Sequence, residues 1–295
     1  MHKYLRAAGF SNLEGRPALE GLLNFTVRYA EKRSYIPNEY GEIFSVFTKE
    51  FAPGLGLAVC GEFKNDNHFI FEYYFPYVVG KHVSSCEDIT VERHSATESF
   101  AGICDDSRLG ITMIFYLQNI ISYLKNSESG QKPIDNVSVS LSALALKGCV
   151  VLPIAKTPYQ ERMLKKKSKK RAKLINSAKK GNENAIEALT LQDMDIYSVI
   201  GTKSVAEDIL TLVDNYFMPS SVESDKYKIL AEIQDYELVI NKYTQEPVYI
   251  LTVLCNGIKM NIGICKKDLI GEPAIGRRFK GEIWLQGLIN FPEEK

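Results

Sequence analysis

The sequence predicts an α+β protein in three parts: an antiparallel-sheet domain with helices over residues 1–155, a charged helical segment over 156–225 and a small β-barrel of the OB or SH3-like kind over 226–295. Three observations carry this expectation. Apolar residues alternate on either side of a short polar cluster in the first half. A dense basic run at helical length follows Pro158. About five short strands with glycine-rich turns fill the last part.

Taken in order, Gly15-Arg16-Pro17 opens a helix, with Leu19, Leu22, Leu23, Val27 and Ala30 at helical spacing, and the helix is expected to end near Arg33. Leu57 to Phe63 and His68 to Phe75 flank the turn cluster Lys64-Asn65-Asp66-Asn67 and predict a hairpin, with Phe69, Phe71, Tyr73 and Phe75 on one strand face. That aromatic face is expected to be core, since the basic-glycine-aromatic signature of RNA readers is missing from it. Ile89 and Val91 mark another strand. Met113, Leu117, Ile120, Ile121 and Leu124 form a stripe that predicts a helix from Ile111 to Lys125. Val137 to Leu141 and Leu144 to Ile154 read as strands. A long helix is expected from Tyr159 to Lys180, closed by Gly181, with Asn182 starting the next over Glu183–Leu189 and a further helix over Val205–Phe217. Beyond Pro219, Ile229 to Ile240 and Val248 to Ile264 alternate as strands. Asn256-Gly257 is the strongest turn signal in the chain, because a two-residue hairpin turn needs positive φ at both positions. A last strand spans Phe279 to Phe291.

With 295 residues, 45% hydrophobic and 24% charged, the composition is that of a folded protein rather than a disordered one. Bases and acids both number 36, so no whole-protein attraction to nucleic acid or membrane is expected. The opening residues lack an apolar signal core, and no stretch approaches the twenty apolar residues of a spanning helix. Six scattered cysteines without a Cys-x-x-Cys read as reduced thiols, so a cytoplasmic location and no membrane partner are expected.

The neutral total conceals a local imbalance. Residues 156–180 carry a net +10, and residues 181–225 a net −8. Within the first segment Arg162, Lys165, Lys166, Lys167, Lys169, Lys170, Arg171 and Lys173 are candidate phosphate- or partner-binding residues, because such runs are the footprint of polyanion binding. Taken together the run points in all directions on a helix. Its structural alternative is a solvated helix, or one docked on its acidic neighbour. In the barrel, Arg277, Arg278, Lys280 and Trp284 mix cations with an aromatic and are weaker candidates of the same kind.

Signals for chemistry are sparse. His82, Cys86, His94 and Cys104 are the nearest approach to a metal set, but their spacing fits no common zinc pattern. The same stretch, with Glu92 beside His94, offers a His–carboxylate pair for acid–base work and is the alternative reading as an enzyme. Asp106 or Ser107 reads equally as a helix cap. No phosphate loop, nucleophile elbow or dinucleotide-binding glycine set occurs. No catalytic residue and no cofactor are assigned. The sequence therefore reads as a non-catalytic cytosolic binding or regulatory protein, with a protein partner placed ahead of nucleic acid.

Four stretches carry a likeness: Met1 to Ser11 (MHKYLRAAGFS), Ala172–Asp195 (AKLINSAKKGNENAIEALTLQDMD), Val213–Ile233 (VDNYFMPSSVESDKYKILAEI) and Gly276–Gly287 (GRRFKGEIWLQG). Together they resemble an uncharacterised bacterial protein family of unknown function, over most of the chain. The resemblance implies a full-length cytosolic protein of that kind and brings no catalytic residues. Residues Ile175–Leu189 also look like the small-residue helical hairpin of sigma factors and helical repeats, a likeness that ordinary hairpin packing accounts for.

Overall fold

The computed structural model describes residues 1–37, 42–64, 69–93, 100–106, 108–126, 137–154, 158–191, 213–222 and 224–291. A 3-10 turn, Lys3–Ala8, buries Tyr4, Leu5, Ala7 and Ala8 and ends on Gly9, whose φ of 78° suits a residue without Cβ. Helix α1 (Gly15–Arg28) follows with Pro17 in its first turn. It stops five residues short of the expected Arg33, because Lys32–Pro37 is taken into strand β1, paired antiparallel with β2 (Ile43–Ala52). Strands β3 (Leu55–Phe63) and β4 (Phe69–Val78) form the expected hairpin and complete a four-stranded antiparallel sheet in the order β1-β2-β3-β4.

The second sheet has ten strands and closes on itself in part. Strand β8 (Ser138–Val151) pairs parallel with β12 (Ile258–Cys265), then β11 (Pro247–Cys255), β10 (Lys226–Ile240) and β14 (Arg278–Asn290) follow antiparallel, and β14 returns to β8. These five strands make a small barrel, as expected, and its fifth wall comes from outside residues 226–295. Ala143, Ile262, Leu251 and Leu285 lie in register across neighbouring strands and are fully buried. At the β11–β12 turn Asn256 and Gly257 take φ of 49° and 83°, the values that a two-residue hairpin of this kind requires. Strands β7 (Met113–Leu117), β6 (Phe100–Cys104) and β5 (Ile89–Arg93) extend the sheet beyond β14, while β9 (Tyr216–Pro219) pairs with β10 and β13 (Leu269–Ile270) with β8.

Two sequence expectations are corrected here. Residues 113–117 form a strand, and only Ile120–Asn126 is helical (α2). Met113, Phe115 and Leu117 are buried while Ile114 and Tyr116 are half-exposed, so the two-residue period governs where a four-residue stripe was also present. The end of the helix expected over Val205–Phe217 is also strand, since Tyr216 and Phe217 pair with Leu230 and Ile229; residues 205–212 lie outside the described residues.

The barrel wall made of β8, β12 and β14 packs against the four-stranded sheet. A Cβ at Gly263 would stand 2.6 Å from Val78 of β4, so the sheets meet closely at a residue without side chain. A polar seam crosses this contact. Gln286 Nε2 donates to Pro76 O at 2.8 Å, and Gln118 Nε2 donates to Val78 O at 2.9 Å and to Gln286 Oε1 at 2.9 Å. Helix α3 (Pro158–Lys179) leaves the end of β8, and a further helix covers residues 183–191. Between them Gly181 has φ of 81° and the Asn182 side chain accepts from Ala185 N at 3.1 Å, the stop and start read from the sequence. Among the described residues no helix is long and apolar enough to cross a membrane.

Candidate functional site

On α3, Arg162, Lys166, Lys169, Lys170 and Lys173 are exposed. At 3.6 residues per turn they fall within an arc of about 100°, along roughly 16 Å of axis. Arg171, Leu174, Ile175 and Ala178 are half-buried and occupy the other side of the helix. Ile175 reaches the loop before β7, where its Cδ1 lies 3.2 Å from the position a Cβ on Gly110 would take. The side chains of Lys165 and Lys167 lie outside the described residues. The five exposed cations thus share one face of α3, while Arg171 of the same run lies on the opposite side. None of the five exposed cations forms an ion pair among the described residues.

The barrel candidates separate. Trp284 is 4% exposed; its Nε1 donates to Asp225 at 2.6 Å and its ring stacks on Tyr4 at 5.1 Å. Arg278 is buried and donates through Nε and Nη2 to Leu152 O and through Nη1 to Val213 O, tying the last strand to residues near both ends of the helical segment. Arg277 donates to Glu272 O. Lys280 stands in an open hollow of about 340 Å³ whose rim also carries Lys147, Lys228 and Glu282. Lys147 and Lys228 escaped the sequence reading because only strand pairing brings them beside Lys280: Cys149 and Leu230 are its cross-strand neighbours.

The histidine–cysteine group is dispersed in character. His82 is half-buried, Cys86 and Glu92 are exposed, and His94 lies outside the described residues. Cys104 is buried, and burial pushes its thiol up to about 11. Its sulfur contacts Ser85 Oγ at 3.7 Å, and Ser85 Oγ donates to Asp106 Oδ2 at 2.6 Å. Among the described residues no three His, Cys, Asp or Glu side chains are grouped so as to hold a metal. Asp106 does not cap a helix. Its carboxylate accepts from Arg108 N at 2.9 Å and closes a turn that leads into β7. Burial acts to raise this carboxyl, but hydrogen bonds from the Arg108 side chain, Ser85 and Arg108 N–H outweigh it and hold it below the usual carboxylate range. Arg108 also donates to Gly257 O at 2.7 Å and to Ser84 O at 2.6 Å, so its guanidinium is committed to holding the fold together.

The family model described as "Domain of unknown function, E. rectale Gene description (DUF3881)" matches residues 5–287. The chain belongs to the DUF3881 family. The match spans most of the 3-10 turn, strands from both sheets and helix α3 of this chain. No curated protein and no solved structure matches the chain.

Proposed function

We propose that the protein is a cytosolic, non-catalytic binding protein whose partner is nucleic acid, held by its phosphates against helix α3. The observation that carries this reading is the exposed stripe Arg162, Lys166, Lys169, Lys170 and Lys173, unpaired among the described residues. Cations kept in water and aligned along one face are disposed to replace the counterions of a phosphate backbone. The lysine-rimmed hollow around Lys280 adds positive charge on the barrel wall. The cytosolic part of the proposal is supported by six cysteines that are all free thiols.

The test is fluorescence anisotropy with a labelled duplex and a labelled single-stranded RNA at about 50 and about 200 mM salt. Five phosphate contacts on a duplex predict a loss of affinity of about 500-fold over that range. Changing the five cations together to Gln is expected to abolish binding while leaving the melting temperature in place. Binding that ignores salt, survives the substitution or is missing at 50 mM overturns the reading. An acidic protein partner would then be sought for the same face.

A further inference from the structure

Strands β2, β3 and β4 place Glu50, Gly56 and Tyr77 in one cross-strand row, and Thr48, Ala58 and Phe75 in the next. Residues two apart on a strand share a face. The central strand therefore contributes only a hydrogen atom and a methyl group to this face, between larger side chains on either flank. The Tyr77 ring occupies the space over Gly56, and the row of Ala58 forms a trough beside it. The start of α2 and Leu288 of β14 roof it, which leaves a cavity of about 360 Å³ between the two sheets.

Both walls are fixed before anything enters. Tyr77 lies across Gly56 so closely that a Cβ there would stand 2.5 Å from its Cζ and its hydroxyl oxygen. On the roof, Asn119 Nδ2 donates to Ile289 O at 2.8 Å and its Oδ1 accepts from Ile289 N at 3.0 Å, so Ile120 and Ile121 are presented from an anchored turn. Preformed pockets with apolar walls and few polar groups are the usual form of a small-molecule site.

The polar end of the trough is lined by Glu31, Glu50 and Lys32, two carboxylates to one ammonium. Glu31 is already engaged, receiving Lys49 Nζ at 3.3 Å and Glu50 N at 3.3 Å. Glu50 is half-buried, and its Oε2 accepts from Gly54 N at 3.0 Å. Its Oε1 meets no donor among the described residues. The Tyr77 phenol is pushed above its ordinary range by burial, then by Glu50 and Glu31, so it stays protonated beside them. A carboxylate held in place with one oxygen to spare, over an aromatic and aliphatic floor, fits a positively charged donor attached to an apolar body.

We propose that this cleft binds a small organic amine, with its ammonium on Glu50 and its apolar or aromatic body over Ala58 and Phe75, beneath Ile120 and Ile121. The site is separate from α3 and stands or falls independently of nucleic-acid binding. An organic acid of the same shape is disfavoured, because it would add an anion where Glu31 and Glu50 already outnumber Lys32.

Calorimetry and ligand-observed NMR on the full chain with phenethylamine, and with phenylacetate as its anionic counterpart, provide the test. Saturable binding of the amine and none of the acid is expected. Glu50→Gln, which keeps the shape and removes the charge, is expected to weaken amine binding by roughly tenfold or more. Ala58→Leu, which fills the trough, is expected to abolish it; circular dichroism and melting of both variants confirm that the fold is kept. A Glu50→Gln protein that remains folded suffices for the decision if Ala58→Leu does not fold. Absence of amine binding, equal binding of phenylacetate, or affinity unchanged in Glu50→Gln overturns the proposal.

Discussion

The Arg108 guanidinium grips the Asp106 carboxylate at two points, Nε to Oδ1 at 2.9 Å and Nη2 to Oδ2 at 2.6 Å, across a single intervening residue. Asp106 has no exposed surface, whereas the Arg108 side chain keeps 37% of its own. Asp106→Asn would leave the guanidinium without its counter-charge and Ser85 with a weaker acceptor. The expected loss is about 2 kcal/mol, reduced from the usual cost of breaking a buried pair because water can reach Arg108. Urea unfolding of the variant checks it. The Asp106 carboxyl is held low, so its contribution is complete above about pH 4 and is lost as the pH falls through its native value.

A second acid-sensitive element acts at higher pH. His2 packs against Trp284 at 4.8 Å, and burial, then Lys3, the terminal amine and Lys226, lower its imidazole from 6.5 to about 4. The folded chain therefore refuses a proton that the unfolded chain accepts. Stability from this site is expected to fall by about 3 kcal/mol as the pH drops from about 6.5 toward 4. His2→Phe keeps an aromatic ring against Trp284 and is expected to flatten the melting temperature across that window. A pH profile identical in the two proteins would refute the assignment.

Gly102 and Gly287 both face the buried ring of Phe115, where a Cβ would stand 2.2 and 2.4 Å from ring carbons. Gly287→Ala is expected to cost about 1–3 kcal/mol through overpacking. Gly21 lies on the exposed side of α1 with open space around its missing Cβ, so Gly21→Ala is expected to stabilise by about 0.5–1 kcal/mol. Thermal melts of the pair are expected to move in opposite directions.

Thiol labelling of the native protein is expected to begin at Cys86, the one exposed cysteine of six, with half-exposed Cys149 slower. Cys104 and Cys255 are buried, with thiols pushed up to about 11 and about 12, and are expected to react only on unfolding. Cys86→Ser removes the fast phase if this order holds.

Local signals were legible in the sequence wherever one residue type has few alternatives. Asn256-Gly257 marked its hairpin, and Gly181-Asn182 marked the end of one helix and the start of the next. The stripe Met113, Leu117, Ile121 was ambiguous because positions four apart share a face in both a helix and a strand. Barrel closure by β8 was hidden, since it joins residues far apart in sequence. The trough was hidden for the same reason: nothing in the sequence connects Glu50, Gly56 and Tyr77 until three strands are in register. The basic run was plain, but its division into an outward stripe and an inward side depended on which positions pack near Gly110.

The strand that closes the barrel also sets an order on how the molecule can form. Asn290 Nδ2 reaches Ser138 Oγ at 3.1 Å across 152 residues of chain. During synthesis β8 emerges from the ribosome long before β12 and β14 exist, with Leu141, Ala143 and Ala145 unsheltered and its backbone edges unpaired. Loop closure over such a span is slow, and an apolar strand waiting with open edges is prone to pair with the wrong neighbour. A chain released before residue 278 lacks β14 and with it a barrel wall, so refolding is expected to be slow, to be governed by this one long-range closure, and to be sensitive to protein concentration until it is complete.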